Sequence, residues 1–293
     1  MRNNLARSLG YLSIAMLSIQ YGASVAKEFF LQAGNVGTST FRTFFAALIL
    51  LAVWRPWRKK LSGESWRALA GYGIALGLMN LLFYLAIARI PLGIAVTLEF
   101  TGPLAVALLA SKKSLDLLWA FLAALGIWLI LPGGHSPEAL DIVGILLALG
   151  AGGCWALYII FGQRAGKSVD SGAATTIGMC FASLAILPFG IYYNGPELVN
   201  VSLWPIGLVI AVLSSALPYN FEMMAMKNLP QKTFGILMSM EPVIATLMGF
   251  LFLKETLTGL QVFAMICVII ASAGSTATSR SPKTDLVGVP DPN

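Results

Sequence analysis

The sequence predicts an all-α polytopic membrane protein with ten transmembrane helices, arranged as two inverted five-helix repeats. Hydrophobic residues make up 57% of the 293 residues and charged residues only 11%, against roughly 25% charged in an ordinary soluble domain. The apolar residues form long runs, and a helix needs about 20 of them to cross a bilayer. Helices rather than strands are expected, because a long apolar helix satisfies its backbone hydrogen bonds internally.

Turn and charge signals divide the chain into ten spans. The first repeat is predicted at residues 1–135, the second at 136–278, and a polar, proline-containing, disordered tail at 279–293. Five spans per half is an odd number, so the second half enters the membrane with opposite polarity, as in many secondary transporters. The spans are Leu9–Phe30, Val36–Trp54, Ala68–Ala88, Gly93–Ala110, Leu115–Pro132, Leu140–Phe161, Gly172–Tyr193, Trp204–Met226, Thr233–Leu253 and Gly259–Thr278.

The basic residues predict that both termini are cytoplasmic. Of the 19 lysines and arginines, only Lys27, Arg89 and Lys254 fall outside and Arg42 falls within a span, if the N-terminus is inside. The other basic residues all fall in inner segments, which is the positive-inside pattern. The net charge of +6 therefore does not indicate nucleic-acid binding, because the spans leave no exposed basic face.

The first span also resembles a cleavable signal peptide. Arg2 and Arg7 precede an apolar stretch that ends near Ser24-Val25-Ala26, which is typical of an export signal. The repeat favours retention, because the sixth span opens the second half as the first span opens the first half.

One pattern occurs in both halves: a proline-led apolar run that contains a carboxylate and a further proline. In Pro91–Leu109 these are Glu99 and Pro103, and in Leu229–Met248 they are Glu241 and Pro242. An ionised group in hydrocarbon costs a few kcal/mol, so an acid there is by default a functional-site hypothesis.

Four charges lie clearly within the spans: Arg42, Glu99, Glu222 and Glu241. Arg42 and Glu99 are each about 9 Å from the outer ends of their helices at the usual rise per residue, so they could form an ion pair. Three acids and one base cannot all be ionised and paired in a low dielectric, and at least one carboxylate is then protonated. Glu99, Glu241 and Glu222 are thus candidates for proton coupling. The alternative is that the charges are fixed ties between helices.

Three prolines are candidates for helix breaks: Pro103, Pro218 and Pro242. Each lacks the N–H that would bond the carbonyl oxygen four residues earlier. At Pro218 that carbonyl belongs to Ser214, and the hydroxyls of Ser214 and Ser215 could compensate. The alternative is a simple kink in a packed helix.

Neutral polar and aromatic residues in the spans could recognise a small zwitterion. The alternative is an interfacial belt or hydrogen bonding between helices. These candidates are Gln20, Tyr21, Asn80, Tyr84, Trp155, Tyr158, Tyr219 and Asn220.

The sequence predicts neither a cofactor nor a metal site. The three cysteines show no metal-ligand spacing, and His135 is the single histidine. There is no glycine-rich phosphate loop, which argues against ATP as the energy source and favours an ion gradient. Lys27 and Glu28 lie near the end of the first span, where snorkelling to the interface is expected.

Three segments resemble a known family: PLGIAVTLEFTGPLAVAL from Pro91, ALGAGGCWALYIIFGQRAG from Ala148 and LPYNFEMMAMKNLPQKTFGILMSMEP from Leu217. Together with SIQYGASVAK from Ser18 they are similar to EamA-type members of the drug/metabolite transporter superfamily, and among these to bacterial exporters of threonine and homoserine. The resemblance implies a proton-linked exporter of small neutral amino acids in the inner membrane.

The resemblance also points at particular residues. It implies roles for Glu99 and Glu241, in the fourth and ninth spans, and for Trp155 in the sixth. Arg42 departs from strict symmetry, because the seventh span has Gly178 and apolar neighbours at the corresponding place.

Three hypotheses about function follow. The first is a transporter that exports threonine, homoserine or a related metabolite in exchange for a proton, with another metabolite or a drug as the alternative cargo. The second is a non-transporting membrane protein in which the acids are structural. The third, an enzyme acting on lipid, is disfavoured because no nucleophile–base pair or metal cluster is present. The sequence does not distinguish a monomer from a homodimer.

Overall fold

In a computed structural model of the chain, residues 2–58, 63–109, 115–130, 141–226, 238 and 240–278 are described. All regular secondary structure in these ranges is helical, as the sequence predicts. The predicted tail 279–293 and His135 lie outside the described residues. The α-helices are α1 (Arg2–Ala33), α2 (Asn35–Trp54), α3 (Gly63–Ile87), α4 (Leu92–Glu99), α5 (Thr101–Leu109), α6 (Leu115–Ile130), α7 (Ile142–Ser168), α8 (Ser171–Val199), α9 (Trp204–Ala211), α10 (Leu217–Met226), α11 (Glu241–Leu253) and α12 (Gly259–Thr278).

Membrane crossing is supported by the length and composition of the helices. Five stretches are long and apolar enough to cross a bilayer: Asn35–Trp54, Ser65–Ile87, Ile142–Gly162, Gly172–Val199 and Val201–Glu222. The other apolar helices found among the described residues are shorter. The count of ten crossings and the inverted repeat therefore remain predictions.

The helices pack mainly against partners from the other half of the chain. Helix α1 packs against α10, α3 against α7 and α2 against α8, while α4 packs against α11 and α6 against α12. Each large contact thus joins elements that are distant in sequence. The interior between the halves is built from both of them.

The outer surface of the bundle carries large apolar side chains. Leu31, Phe121, Leu184 and Phe250 are all exposed, although a soluble protein would bury most groups of this kind. Such a surface fits a lipid environment, where apolar side chains face hydrocarbon. The buried core, in contrast, includes polar residues such as Thr97 and Thr176, and each of these hydroxyls donates to a carbonyl oxygen of its own helix.

One end of the bundle carries an exposed ion pair that links the two halves. Arg89, between α3 and α4, donates to Asp141 at 2.7 Å. Asp141 also caps α7 by accepting from the backbone N–H of Val143 at 2.8 Å, a usual role for aspartate at this position. The hydrogen bond from Arg89, followed by the cap, lowers the pKa of Asp141 below its ordinary value.

Candidate functional site

A cavity of about 60 Å³ lies where helices from both halves meet. A buried water needs roughly 10–15 Å³ by this measure, so the cavity has room for several waters or part of a small solute. Its polar and apolar lining residues are Ile19, Gln20, Ala23, Arg42, Met79, Asn80, Phe83, Val96, Glu99, Trp155, Tyr158, Tyr219, Glu222, Met238 and Glu241.

All four charged residues that the sequence places in the membrane line this cavity. Glu99 is the last residue of α4, Glu222 lies in α10 and Glu241 is the first residue of α11. Glu99 and Glu241 are buried, and Oε2 of Glu241 has no hydrogen-bond partner among the described residues. The cavity therefore gathers three carboxylates around one guanidinium.

The guanidinium of Arg42 is held by the second half of the chain. Nε donates to Oγ of Ser215 at 2.8 Å, and Nη2 donates to the carbonyl oxygen of Ser214 at 2.6 Å. The group also lies over the ring of Tyr84, 5.3 Å from its centroid, within the range of a cation–π contact. Among the described residues no ion pair joins Arg42 to Glu99, so the pairing that the sequence suggested is absent from this structure.

A π-helical turn explains the acceptors that Arg42 finds. Residues Val212–Ala216 form this turn between α9 and α10. Pro218 has no N–H, so it cannot donate to Ser214, its partner in an α-helix, nor to Leu213, its partner in a π turn. Arg42 donates to the first of these carbonyls, and Oγ of Ser18 donates to the second at 2.7 Å. The hydroxyls of Ser214 and Ser215, suggested from the sequence, do not supply these hydrogen bonds, and the side chains that donate come from α1 and α2.

The other two prolines also lie at interruptions of a helix. The α-helix stops at Glu99 and resumes at Thr101, two residues before Pro103. Pro242 lies in the first turn of α11, which begins at Glu241. Both carboxylates are therefore at the ends of α-helices inside the bundle.

Neutral polar side chains complete the wall of the cavity. The amide of Gln20 lies beside the carboxylate of Glu241, and Nδ2 of Asn80 donates to the carbonyl of Leu76 at 2.8 Å. The hydroxyl of Tyr158 is 3.4 Å from that of Tyr72, and their rings stack. Tyr219, a further wall residue, has a buried hydroxyl that meets no hydrogen-bond partner within the described ranges.

Trp155 forms the part of the wall nearest to the break in the fourth span. Its ring meets that of Phe100 edge-on at 5.2 Å between centroids. Phe100 is the residue at which the α-helix is interrupted, so the indole is positioned by the same break that follows Glu99.

Comparison with known proteins agrees with this architecture. A sequence model of the EamA-like transporter family matches residues 142–277. The threonine/homoserine exporters RhtA of Salmonella typhimurium (strain LT2) and Escherichia coli (strain K12) are each 50% identical to this chain over 270 residues, which is 92% of this chain and 91% of theirs. The chain belongs to the EamA-like transporter family.

More distant relatives agree with this assignment. An uncharacterized transporter of Synechocystis is 26% identical over 86% of this chain and 85% of its own. A solved crystal structure matches 92% of this chain and 97% of its own with a TM-score of 0.56 at 16% identity, which supports the fold alone. The chain is thus a multi-pass membrane protein related to transporters rather than to enzymes, as the sequence predicted.

Three residues proposed from sequence lie away from the lining of the cavity in this EamA-like chain. Tyr21 is exposed and meets the ring of Phe252. Tyr84 is fully buried beneath Arg42. Asn220 accepts a hydrogen bond from Trp54 at 2.9 Å.

The glycines of α7 allow α4 and α5 to approach closely. A Cβ atom on Gly102 would collide with the carbonyl oxygen of Gly152, and one on Gly152 would lie 2.7 Å from the carbonyl oxygen of Glu99. A Cβ atom on Gly153 would have no atom of the described residues outside its own helix within 4 Å. Of these two glycines of α7, Gly152 is therefore the one at which the helices pack closely.

An ion pair that the sequence did not suggest closes one end of the bundle. Nζ of Lys27 pairs with Oε1 of Glu255 at 2.5 Å and donates to the carbonyl of Ile90 at 3.3 Å. Oε2 of Glu255 accepts from the backbone N–H of Leu92 at 2.8 Å. The tie joins α1, the start of α4 and the end of α11, so Lys27, which was expected to snorkel to the interface, is paired within the protein at this end of the bundle.

Part of this site could not be found from charge and proline signals. Ile19, Met79, Phe83, Val96 and Met238 are apolar wall residues, and nothing separates them in sequence from ordinary core or lipid-facing residues. The described residues contain no group of three His, Cys, Asp or Glu that could hold a metal.

Proposed function

We propose that this protein exports threonine, homoserine or a related small neutral amino acid across the bacterial inner membrane in exchange for protons. The two RhtA relatives, which are named as threonine/homoserine exporters and match nearly the whole chain, support this substrate class. The observation that carries the proposal is the meeting of Glu99, Glu222, Glu241 and Arg42 at one cavity between the halves. No cofactor is part of the proposal.

The packing of the helices supports the ten-span inverted repeat. If residues 1–135 and 136–278 are equivalent halves, α1 corresponds to α7 and α3 corresponds to α10. The contact of α1 with α10 is then equivalent to the contact of α3 with α7. The contacts α2–α8, α4–α11 and α6–α12 each join equivalent spans. These five contacts are exchanged with one another or kept when the halves are exchanged, which is expected of a two-fold repeat with its site at the interface.

The location of the site supports retention of the first span and inward-facing termini. Helix α1 contributes Gln20 and Ala23 to the cavity, and cleavage near Ala26 would remove both. The basic clusters assign both termini to the cytoplasm. The ion pair of Lys27 and Glu255 then lies at the outer end.

Proton exchange is supported by the imbalance of charge in the cavity. Three carboxylates face one guanidinium without an ion pair among the described residues. Keeping all of them ionised in a poorly solvated site is costly. Release of a proton to one side and its uptake from the other can therefore be linked to the passage of a zwitterion.

Transport into proteoliposomes tests the proposal. With an acidic lumen, labelled threonine or homoserine should accumulate, and collapse of the pH gradient should abolish this accumulation. The double variant Glu99→Gln and Glu241→Gln should lose the effect of the gradient, whereas Arg89→Gln, outside the cavity, should retain it. Uptake that ignores the gradient, or a double variant that still responds to it, contradicts proton exchange.

A substrate panel tests the choice of cargo. The apolar wall formed by Met79, Phe83 and Met238 would also accept a larger metabolite or a drug. Cells that overproduce the protein should resist toxic excess of threonine or homoserine. Resistance to other compounds alone would move the assignment to another cargo within the family. No resistance or uptake for any compound would favour a non-transporting protein with structural acids.

A further inference from the structure

Arg42 is fixed in place by groups that are not substrate. The side chain is buried, 3% exposed, although it carries a permanent charge. Its Nε and Nη2 are occupied by Ser215 and Ser214, and the ring of Tyr84 lies beneath the guanidinium. These contacts orient the group while the carboxylates of the cavity remain unpaired with it.

The guanidinium still has donors to offer. Nη1 makes no hydrogen bond to any described residue, and Arg42 lines the cavity. A planar guanidinium binds a carboxylate well, because its N–H groups match the two oxygens. An anionic group that entered the cavity would therefore meet a positioned cation.

The opposite charge is present in the same cavity. Glu241 is 4% exposed and its Oε2 has no hydrogen-bond partner in the part of the chain that the structure describes, and Glu99 and Glu222 line the same space. A free amino acid carries one carboxylate and one ammonium group on the same carbon atom. The cavity thus offers both charges that a zwitterion requires.

We propose that Arg42 binds the α-carboxylate of the transported amino acid, while the three acids face its ammonium group. Ser214 and Ser215 are positioning residues, since they act through Arg42. This inference rests on the proposed function, and it assigns to Arg42 the recognition of an amino acid as opposed to an amine.

Competition by a carboxylate-free analogue tests this role. Threoninol retains the ammonium group and side chain of threonine but has an alcohol in place of the carboxylate. Unlabelled threonine should compete with labelled threonine in wild-type proteoliposomes about 10- to 100-fold better than threoninol, because hydrogen bonds to a charged group are lost in the analogue.

The Arg42→Gln variant should bind threonine more weakly by a similar factor while threoninol is little affected, so the preference for threonine should disappear. Arg42→Lys should retain part of the preference, and Arg89→Gln should leave it unchanged. An Arg42→Gln protein that keeps the full preference, or loses affinity for both compounds equally, overturns the inference.

Ser215→Ala keeps the inference testable if Arg42→Gln does not fold. This variant removes one acceptor from Arg42 and retains the charge, so the preference should fall severalfold in a protein that elutes as wild type in gel filtration. An unchanged preference contradicts the positioning role. If the wild-type protein takes up neither threonine nor homoserine, the proposed function itself fails, and this is seen before any variant is compared.

Discussion

Arg42 donates to the carbonyl oxygen of Ser214, a residue 172 positions later in the chain, at 2.6 Å. Pro218 lies four residues beyond Ser214 and has no N–H to offer this carbonyl. The proline and the arginine therefore form a single unit, in which a break in one helix supplies the acceptor for a cation on another.

Pro218→Ala should weaken substrate binding without unfolding the protein. The new N–H would donate to Ser214 within a regular helix, compete with Arg42 and free its guanidinium. We expect a severalfold loss of affinity in competition uptake, with a thermal midpoint equal to or above that of the wild type. Pro188→Ala is the matched control, since Pro188 lies inside α8 and does not line the cavity. Equal affinities for wild type and Pro218→Ala would refute this coupling.

Gly102→Ala and Gly152→Ala should each destabilise the protein. The added methyl group would meet the backbone of the facing helix, and overpacking of this kind costs about 1–3 kcal/mol. Gly153→Ala is the control on the same helix, where open space and the better helix propensity of alanine make a neutral or slightly stabilising effect the expectation. Unfolding in detergent measures all three variants. A ranking in which Gly153→Ala is the most harmful would be inconsistent with the structure.

Gln20→Ala should impair transport far more than Tyr21→Ala. Gln20 lies beside Glu241 in the cavity, whereas Tyr21 is exposed on another face of α1. Removal of the amide leaves the buried carboxyl group of Glu241 without this neighbouring polar group, and such a loss costs about 1–3 kcal/mol, so about a tenfold fall in initial uptake rate is expected for Gln20→Ala. Equal effects of these adjacent substitutions would show that the cavity is not the transport site.

Lys27→Met and Glu255→Gln should affect stability in a coupled manner. Lys27→Met leaves Glu255 and the carbonyl oxygen of Ile90 without their donor, and Glu255→Gln leaves Lys27 without its counter-charge. Residues in direct contact typically show coupling energies of about 0.5–3 kcal/mol, so the double variant should be less destabilised than the sum of the single variants. Unfolding measured for all four proteins of the cycle gives this value. If the effects of the two single variants on stability were strictly additive, the two side chains would have no measurable interaction energy.

Asp141→Asn should lower stability at neutral pH but not in acid. Its pKa is lowered in the folded protein, mainly by Arg89. Stabilisation by this carboxylate is therefore present above its unfolded pKa of about 3.9 and is lost as the pH falls through the folded pKa. Asparagine retains the capping oxygen, so the difference from wild type reports the charge. Thermal midpoints measured from pH 7 to pH 3 should converge, and a difference that persists in acid would contradict this reason.

The membrane class, the helices and the intramembrane charges could be read from the sequence, because burying charge is costly in any apolar fold. The groups that hold Arg42 could not be identified from the sequence. Depth along a helix follows from the rise per residue, and it placed Glu99 at the same depth as Arg42, which suggested an ion pair. The rotation of each helix and the distance between two helices depend on packing, which the sequence does not give. For the same reason the sequence did not distinguish Gln20 from Tyr21. The two residues are adjacent and polar, but only Gln20 faces the cavity.

The positions of the helix breaks could be predicted from the sequence, but the groups that compensate for them could not. Prolines identify where backbone hydrogen bonding is interrupted, and Pro103, Pro218 and Pro242 all lie near such places. The group that donates to the carbonyl oxygen left free by a proline depends on tertiary structure. Local chemistry favoured the hydroxyls of Ser214 and Ser215, whereas the structure brings in Ser18 and Arg42.

The division of Arg42 and its two serine acceptors between the halves has an evolutionary consequence. A homodimer made from two copies of the first half would contain two such arginines and no π turn with which to hold them. Two copies of the second half would contain the turn and no arginine, because Gly178 stands at the corresponding place. An arrangement of this composition therefore needs two halves that differ in sequence, and two copies of one half could not supply it.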